Sequence, residues 1–224
     1  MKFEKTEVWG FKHAIRGMRN PLNSWDKSDS LIEAEYEYQL ELGKNDLRLM
    51  QSLIKAGSEH RKFMRQIFVS VDITAPLYWW KEFDTYKVGT VANSTSTMHK
   101  LASTPITKKC FEMDDYETEL RKVNLPLIWQ SLLFNLETLR KLYNETKDKR
   151  YWKELIRLLP ESWLQKRTVT MDYENLLAIC SKGQRRFHKL TEWSKSFIDW
   201  ARSLPYAQEL IFLDEVAEKA VVDR

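Results

Sequence analysis

The chain has 224 residues, with 43% hydrophobic and 30% charged side chains, a composition that excludes a disordered or fibrous protein and is long enough to bury a substantial core. A formal charge of +4, from 36 basic and 32 acidic residues, suits a nucleotide or other anion and is too weak to argue for duplex DNA. With two cysteines, Cys110 and Cys180, no CxxC and no Cys/His metal spacing, neither a disulfide framework nor a zinc site is expected.

No apolar run approaches the roughly 20 residues that span a bilayer, and "MKFEKTEVWG" lacks a signal-peptide core, so a cytoplasmic protein without membrane contact is expected. The stretch "RGMRNPLNSWDKSDS" (16–30) is polar and turn-rich, either a surface loop or a segment that orders over a ligand. From Asn45 the pattern is helical: Asn45 or Asp46 caps, Leu47, Met50, Leu53 and Ile54 recur at three- and four-residue spacing, and Gly57 ends the helix. "QIFVSVDIT" (66–74) alternates Ile67, Val69, Val71 and Ile73 against polar neighbours, as a half-buried strand does. Pro76 suits a first helical turn, so 76–87 reads as a helix entered directly from a strand, a common way to build an anion site.

The aromatics Tyr78, Trp79, Trp80 and Phe83 precede a loop of small polar residues from Gly89 to His99. Its hydroxyls and successive N–H groups are of the kind that cradle a phosphate, or they are turn formers at a surface. With nine tryptophans in the chain, the aromatics either pack core and interfaces or offer platforms to a planar ligand.

The C-terminal half is helix-dominated. "DYETELRKV" is followed by an amphipathic run from Leu127 to about Thr146, whose stripe includes Leu127, Leu132, Leu133, Leu136, Leu139 and Leu142. "RYWKELIRLLP" is a helix stopped by Pro160, "QKRTVTMD" (165–172) is a short strand or extended segment, and two further helices follow over 173–190 and 191–203. Few strands among many helices give an α+β class. The long apolar stripes either pack within the chain or support oligomerisation. No repeat or low-complexity linker interrupts the chain, and a single domain over 1–224 is expected.

Nucleophilic catalysis finds little support: there is no GxSxG elbow, and neither cysteine has a nearby histidine in sequence. Walker-type and GxGxxG loops are also absent. Four polar clusters remain. One runs from Lys87 through Asn93, Ser94, Thr95, Ser96 and Thr97 to His99 and Lys100; another is "AGSEHRKFMR", with His60, Arg61 and Arg65. The third is Arg157 before Pro160, and the fourth is "SKGQRRFHK", with Lys182, Gln184, Arg185, Arg186 and His188. Taken singly, each is also a solvated helix end, an exposed helix face or a surface loop.

In this order the clusters resemble the flavin-dependent thymidylate synthases, over about residues 45–205. "AGSEHRKFMRQIFVSVDI" looks like that family's helix end and strand, "PLYWWKEFDTYKVGTVANSTSTMH" like its RHR-x-x-S-x-N-E-x-S-x-R-Y helix and loop, and "ELIRLLPESWLQKRTVTMDYENLLAIC" like its later part. The resemblance implies a small, mostly antiparallel sheet with a large helical portion, and a homotetramer. It also implies FAD as cofactor, with NADPH and methylenetetrahydrofolate as co-substrates, and one-carbon transfer to dUMP or a related pyrimidine nucleotide in which no protein side chain attacks the substrate. By the same resemblance, Lys87, Ser94, Ser96, Arg157, Lys182 and Arg185 contact the nucleotide, and His60, Tyr86, Asn93, His99 and Asp172 contact the flavin.

The sequence departs from the pattern at several of these positions. The RHR triplet reads Thr85, Tyr86, Lys87; Ser94 stands for the acidic residue, with one residue inserted beforehand; Met98 and His99 stand for Arg-Tyr. Asp172 replaces asparagine, Glu174 replaces arginine, and the late Leu-Arg falls at Lys182 and Gly183, with Arg185 and Arg186 one turn away. Replacing arginine removes a planar fork that holds phosphate bidentately. The alternatives are a non-catalytic descendant of the same fold that binds a nucleotide or a protein, and an unrelated helical protein for interaction or nucleic-acid binding.

Overall fold

The computed structural model describes residues 1–32, 40–86, 88–113 and 123–215. In chain order the elements are β1 (Lys2–Trp9), α1 (Phe11–Arg19), β2 (Leu31–Ile32), β3 (Leu40–Glu41), α2 (Lys44–Lys55), β4 (Phe68–Pro76), α3 (Leu77–Phe83) and β5 (Val91–Ser94). They continue with α4 (Thr97–Lys100), α5 (Leu125–Thr146), α6 (Lys149–Arg157), β6 (Leu164–Asp172), α7 (Tyr173–Ile179), α8 (Lys182–Arg185), α9 (Ile198–Arg202) and α10 (Ala207–Leu210). A four-stranded antiparallel sheet has the order β1-β4-β6-β5, and β2 pairs with β3 as a separate antiparallel ribbon. The α+β class expected from the sequence is the one observed. Among the described residues no helix is long and apolar enough to cross a membrane.

Two compact units divide the chain. One comprises Met1–Lys2, Ile73–Asp84 and Asn93–Arg167; the other comprises Phe3–Asp72, Thr85–Ala92 and Thr168–Arg224. The first is centred on Leu101, Ile106, Phe111, Leu136 and Leu155, with α5 packed along α6. Its aromatic run is core: Trp79, Trp80 and Phe83 are buried, and Trp79 stacks on Phe83 at 5.1 Å. Trp80 Nε1 donates to the carbonyls of Ala75 and Gln165, and the Arg167 guanidinium lies 4.2 Å from its ring.

Several expected boundaries are corrected here. The helix expected over 76–87 spans only Leu77–Phe83, because Pro76 keeps an extended backbone and the N–H groups of Leu77 and Tyr78 bond to the carbonyls of Trp163 and Glu161. The anion site expected at this junction is therefore filled by the chain itself. The loop expected over 89–99 contains a strand and a helical turn: Thr95 N–H bonds to the Lys166 carbonyl, and the Ser96 hydroxyl caps α4 by accepting from His99 N–H. Most of "DYETELRKV", all but Val123, lies outside the described residues.

In the second unit, Ile67, Val69 and Val71 of the expected alternation are fully buried. The cap expected from Asn45 or Asp46 comes from elsewhere. Gly43 is the N-cap of α2 and has no side chain, so Asp29 supplies the carboxylate, accepting from the N–H groups of Asn45 and Asp46. That frees Asp46 to turn inward. Its carboxylate accepts from Arg19 Nε at 2.6 Å and from the hydroxyls of Ser28 and Ser30 at 2.7 Å. Arg19 also donates to the carbonyls of Ser24 and Lys27, so one buried guanidinium organises the polar stretch 16–30 as two short 3-10 turns. Gly10 is required at the turn before α1: its φ is +98°, and a Cβ there would lie 2.0 Å from the Gln66 carbonyl.

Burial alone would raise the Asp46 carboxyl, but hydrogen bonds from Ser30, Ser28 and Arg19 outweigh it and hold it below the usual carboxylate range. A lowered folded-state value adds stability above about pH 4, and this is lost as pH falls through the folded value. Asp46→Ala, which strands the Arg19 charge, is expected to cost about 3–5 kcal/mol in urea denaturation, and Arg19→Met/Asp46→Leu together much less.

Candidate functional site

The eleven residues singled out above divide between the units. In the first, Asn93 and Ser94 lie on the exposed strand β5, Ser96 caps α4, and exposed His99 lies within α4. Trp152 Nε1 donates to the Met98 carbonyl at 3.0 Å, which ties α6 to this turn. Arg157 ends α6, half-exposed and paired with Glu154. Lys87 lies outside the described residues.

In the second unit, Asp172 closes β6 and opens α7 with a reciprocal cap. Its carboxylate accepts from Asn175 N–H at 2.8 Å, and Asn175 Oδ1 accepts from Asp172 N–H at 3.1 Å. Asn175 Nδ2 also donates to the Val88 carbonyl at 2.5 Å, which seats the 88–90 turn against the cap. Gly89 allows the approach: its φ is +77°, and a Cβ there would lie 2.9 Å from Asp172 Oδ2. The Asp172 carboxyl is raised by burial and by the neighbouring Glu174 charge, against the pull of backbone N–H bonds and Arg65.

Tyr86, three residues before Gly89, is held by the following segment. Its hydroxyl accepts from Gln184 Nε2 at 2.6 Å and lies 2.9 Å from His188 Nε2. A phenol oxygen both donates and accepts, so this contact is a hydrogen bond in either tautomer of His188. His188 is buried and stacks on Trp193 at 4.4 Å. The helix expected over 173–190 is therefore corrected to two pieces, because Ser181 adopts an extended backbone and caps α8 through its hydroxyl, accepting from Gln184 N–H.

The break has a chemical consequence. It brings Lys182 and Arg185 to a cavity of about 500 Å³, where they meet Lys55 and Arg61 against the two carboxylates of Asp214 and Glu215. Arg185 pairs with Glu215 at 2.5 Å, while its Nε is buried with no hydrogen-bond partner among the described residues. Cys180 borders the same cavity, but burial pushes its thiol up to about 12, against the pull of Arg185 and Arg202, so it stays protonated and un-nucleophilic at neutral pH. Among the described residues no three His, Cys, Asp or Glu side chains converge to hold a metal. An excess of cations over carboxylates in the lining fits a phosphate-bearing ligand.

Glu174 accepts from Arg61 Nε at 3.2 Å and pairs with Arg65, so the carboxylate standing where arginine was expected is neutralised by arginines of the 60s turn. His60 sits exposed on that turn, its N–H bonded to the Gly57 carbonyl. The sites thus brought together in this unit are Tyr86 with the α8 segment, Asp172 with the 88–90 turn, and Lys182 with Arg185. Sequence reasoning missed the Asp172–Asn175 pair, although D-x-x-N at the end of a strand is capping-box spacing. It also missed Lys55 and Glu215, for which no local signal exists.

No family model matches the chain, and no curated protein matches it. Solved structures do. The crystal structure of the flavin-dependent thymidylate synthase ThyX from Helicobacter pylori complexed with FAD and dUMP is similar over 96% of this chain and 99% of its own, with a TM-score of 0.67 and 16% identity. A second structure of Helicobacter pylori ThyX with FAD and dUMP gives the same TM-score at 15% identity, over 96% and 98% of the two chains. At these identities the likeness defines the fold: this chain has the flavin-dependent thymidylate synthase fold.

Asp172→Asn is expected to keep the cap and to match or exceed the parent's melting temperature near pH 7. Because the raised carboxyl costs stability as pH rises through its folded value, the gap should close toward about pH 4. Asp172→Ala should instead lose about 1 kcal/mol. Thermal melts followed by circular dichroism across this range separate the two.

Proposed function

We propose that this chain is a nucleotide-binding protein of the flavin-dependent thymidylate synthase type, transferring a one-carbon unit to dUMP or a related pyrimidine nucleotide. The observation that carries the reading is the cationic α8 cavity in a chain whose fold is shared, nearly end to end, with an enzyme solved with FAD and dUMP. Lys182 and Arg185, which line this cavity, hold a nucleotide phosphate. Ser94, Ser96 and Arg157, with Lys87, are the nucleotide contacts offered by the rest of the chain. His60, Tyr86, Asn93, His99 and Asp172 are the candidates for flavin contacts. Bound FAD supplies the redox chemistry, with NADPH as reductant and methylenetetrahydrofolate as one-carbon donor. The chain's own part is to position and to stabilise charge, since no side chain here is an activated nucleophile.

A second reading is a non-catalytic descendant that keeps nucleotide binding or binds a protein. It is favoured by one observation: Glu174 occupies an expected arginine position and holds Arg61 and Arg65 in ion pairs. A homo-oligomer, a tetramer on the resemblance, is supported by α5. Residues 125–136 carry no charge, Leu127, Ile128 and Phe134 are exposed, and a groove of about 730 Å³ runs between Leu127, Ile128, Leu139 and Leu158. The protein is placed in the cytoplasm on the same reading.

Two measurements test this. The purified protein, incubated with FAD and gel-filtered, is expected to retain flavin absorption that dUMP perturbs, and Lys182→Ala with Arg185→Ala should weaken dUMP binding about tenfold or more. Flavin that never binds, with dUMP affinity intact, moves the protein to the second reading; loss of both sinks the proposal. For assembly, the parent is expected to sediment as an oligomer and Ile128→Glu/Phe134→Glu as a monomer. A parent that is monomeric at all concentrations removes the oligomer.

A further inference from the structure

A second cavity, of about 550 Å³, opens on α1 and the short turns after it. Its size lies within the usual range for small-molecule sites. Lys12 and Arg16 stand on it one helical turn apart, both exposed. Like charges at this spacing repel each other, so nothing in the helix itself favours the pair. Lys12 makes no ion pair among the described residues, and the polar contact of Arg16 is a 3.5 Å approach to His13 Nδ1.

Two carboxylates of the neighbouring segments are already engaged. Asp46 is saturated by Arg19, Ser28 and Ser30, and Asp29 caps α2. Among the described residues no Asp or Glu lines the cavity. Its wall is Trp25, which is 51% exposed although its indole N–H is satisfied by Asn20 Oδ1 at 2.9 Å. That bond fixes the ring at its polar edge and leaves an apolar face exposed at the cavity. The buried Arg19 anchors the backbone of both turns, so ring and cations are held by a rigid support.

We infer that this cavity is a second binding site, for a planar aromatic anion of mononucleotide size, with the ring stacked on Trp25 and the phosphate between Lys12 and Arg16. It shares no lining residue with the α8 cavity and does not depend on nucleotide binding there. Stacking on an exposed indole tolerates any base, so it selects for a ring and an anionic group more than for one nucleobase.

The test is a titration of the full chain with UMP, AMP and inorganic phosphate, read at the Trp25 indole N–H resonance, assigned by its loss in Trp25→Leu. Both nucleotides are expected to shift it saturably and phosphate to bind more weakly. Trp25→Leu, whose affinity is read calorimetrically, should weaken nucleotide binding about tenfold. Lys12→Gln/Arg16→Gln should weaken it further and flatten its salt dependence, while Lys182→Ala leaves the Trp25 shift unchanged. All three substituted positions at this cavity are exposed, so the variants should keep the parent's far-ultraviolet spectrum. A Trp25 resonance that nucleotides do not move overturns the inference. So does an affinity indifferent to Trp25→Leu, or a Trp25 shift that disappears with Lys182→Ala.

Discussion

Four consecutive residues at the end of β6 carry much of the second unit, and they do so through the reciprocal cap between Asp172 and Asn175. The cap stops the strand and starts α7, and it sets the direction of the two residues between. Tyr173 goes inward: its N–H bonds to the Ile67 carbonyl, its ring meets Phe11 edge-on at 5.6 Å, and its hydroxyl donates to the Pro205 carbonyl at 2.7 Å. Glu174 goes sideways to Arg61 and Arg65. Asn175 then reaches the Val88 carbonyl. A bond between two side chains three residues apart thus fixes the 60s turn, the 88–90 turn and the segment before α10 relative to one strand end. Burying the Asp172 carboxylate costs free energy, and the N–H bonds it accepts at a helix start offset part of it.

Much of this architecture was legible where a periodic apolar pattern was buried. Ile67, Val69, Val71 and Ile73 gave β4, the leucines of 127–142 gave α5, and α6 was expected up to Pro160 but ends three residues before it, at Arg157. Elements without such a face were misread. β5 is exposed along its whole length, so its sequence carries no alternation, and backbone pairing with β6 is what makes it a strand. The start of α3 is set by the carbonyls of Trp163 and Glu161, distant in sequence, which take the N–H groups of Leu77 and Tyr78, and the stretch 173–190 is broken where the Ser181 hydroxyl caps a new helix. The cap of α2 repeats the lesson: Asp29 is fourteen residues before Gly43 in sequence, yet it does what Asn45 was expected to do.

The candidate site was legible to a different degree. Cationic runs in sequence marked Lys182, Arg185 and Arg61, and these do line one cavity. Their partners were not legible, because Glu215 and Lys55 come from distant segments and only the fold brings them to α8. The inverted charge at Glu174 looked like a lost contact when read against the family pattern. In the fold it is a relocated one, since the carboxylate gathers two arginines from the 60s turn, and one of them, Arg61, borders the α8 cavity.

That relocation bears on where an anion can sit. Helix N-termini following strands are natural anion sites because their first N–H groups lack partners. Two such junctions, β4–α3 and β6–α7, are closed. The N–H groups opening α3 are taken by the carbonyls of Trp163 and Glu161, and those opening α7 face the Asp172 carboxylate, with Glu174 adding a second negative charge in the same turn. A phosphate brought to α7 would meet two carboxylates where the macrodipole alone would have welcomed it. Positive charge in this unit is instead gathered one helix on, where Lys182 and Arg185 line a cavity with Lys55 and Arg61. Recognition by side-chain cations rather than by fixed backbone N–H groups tolerates more variation in ligand shape.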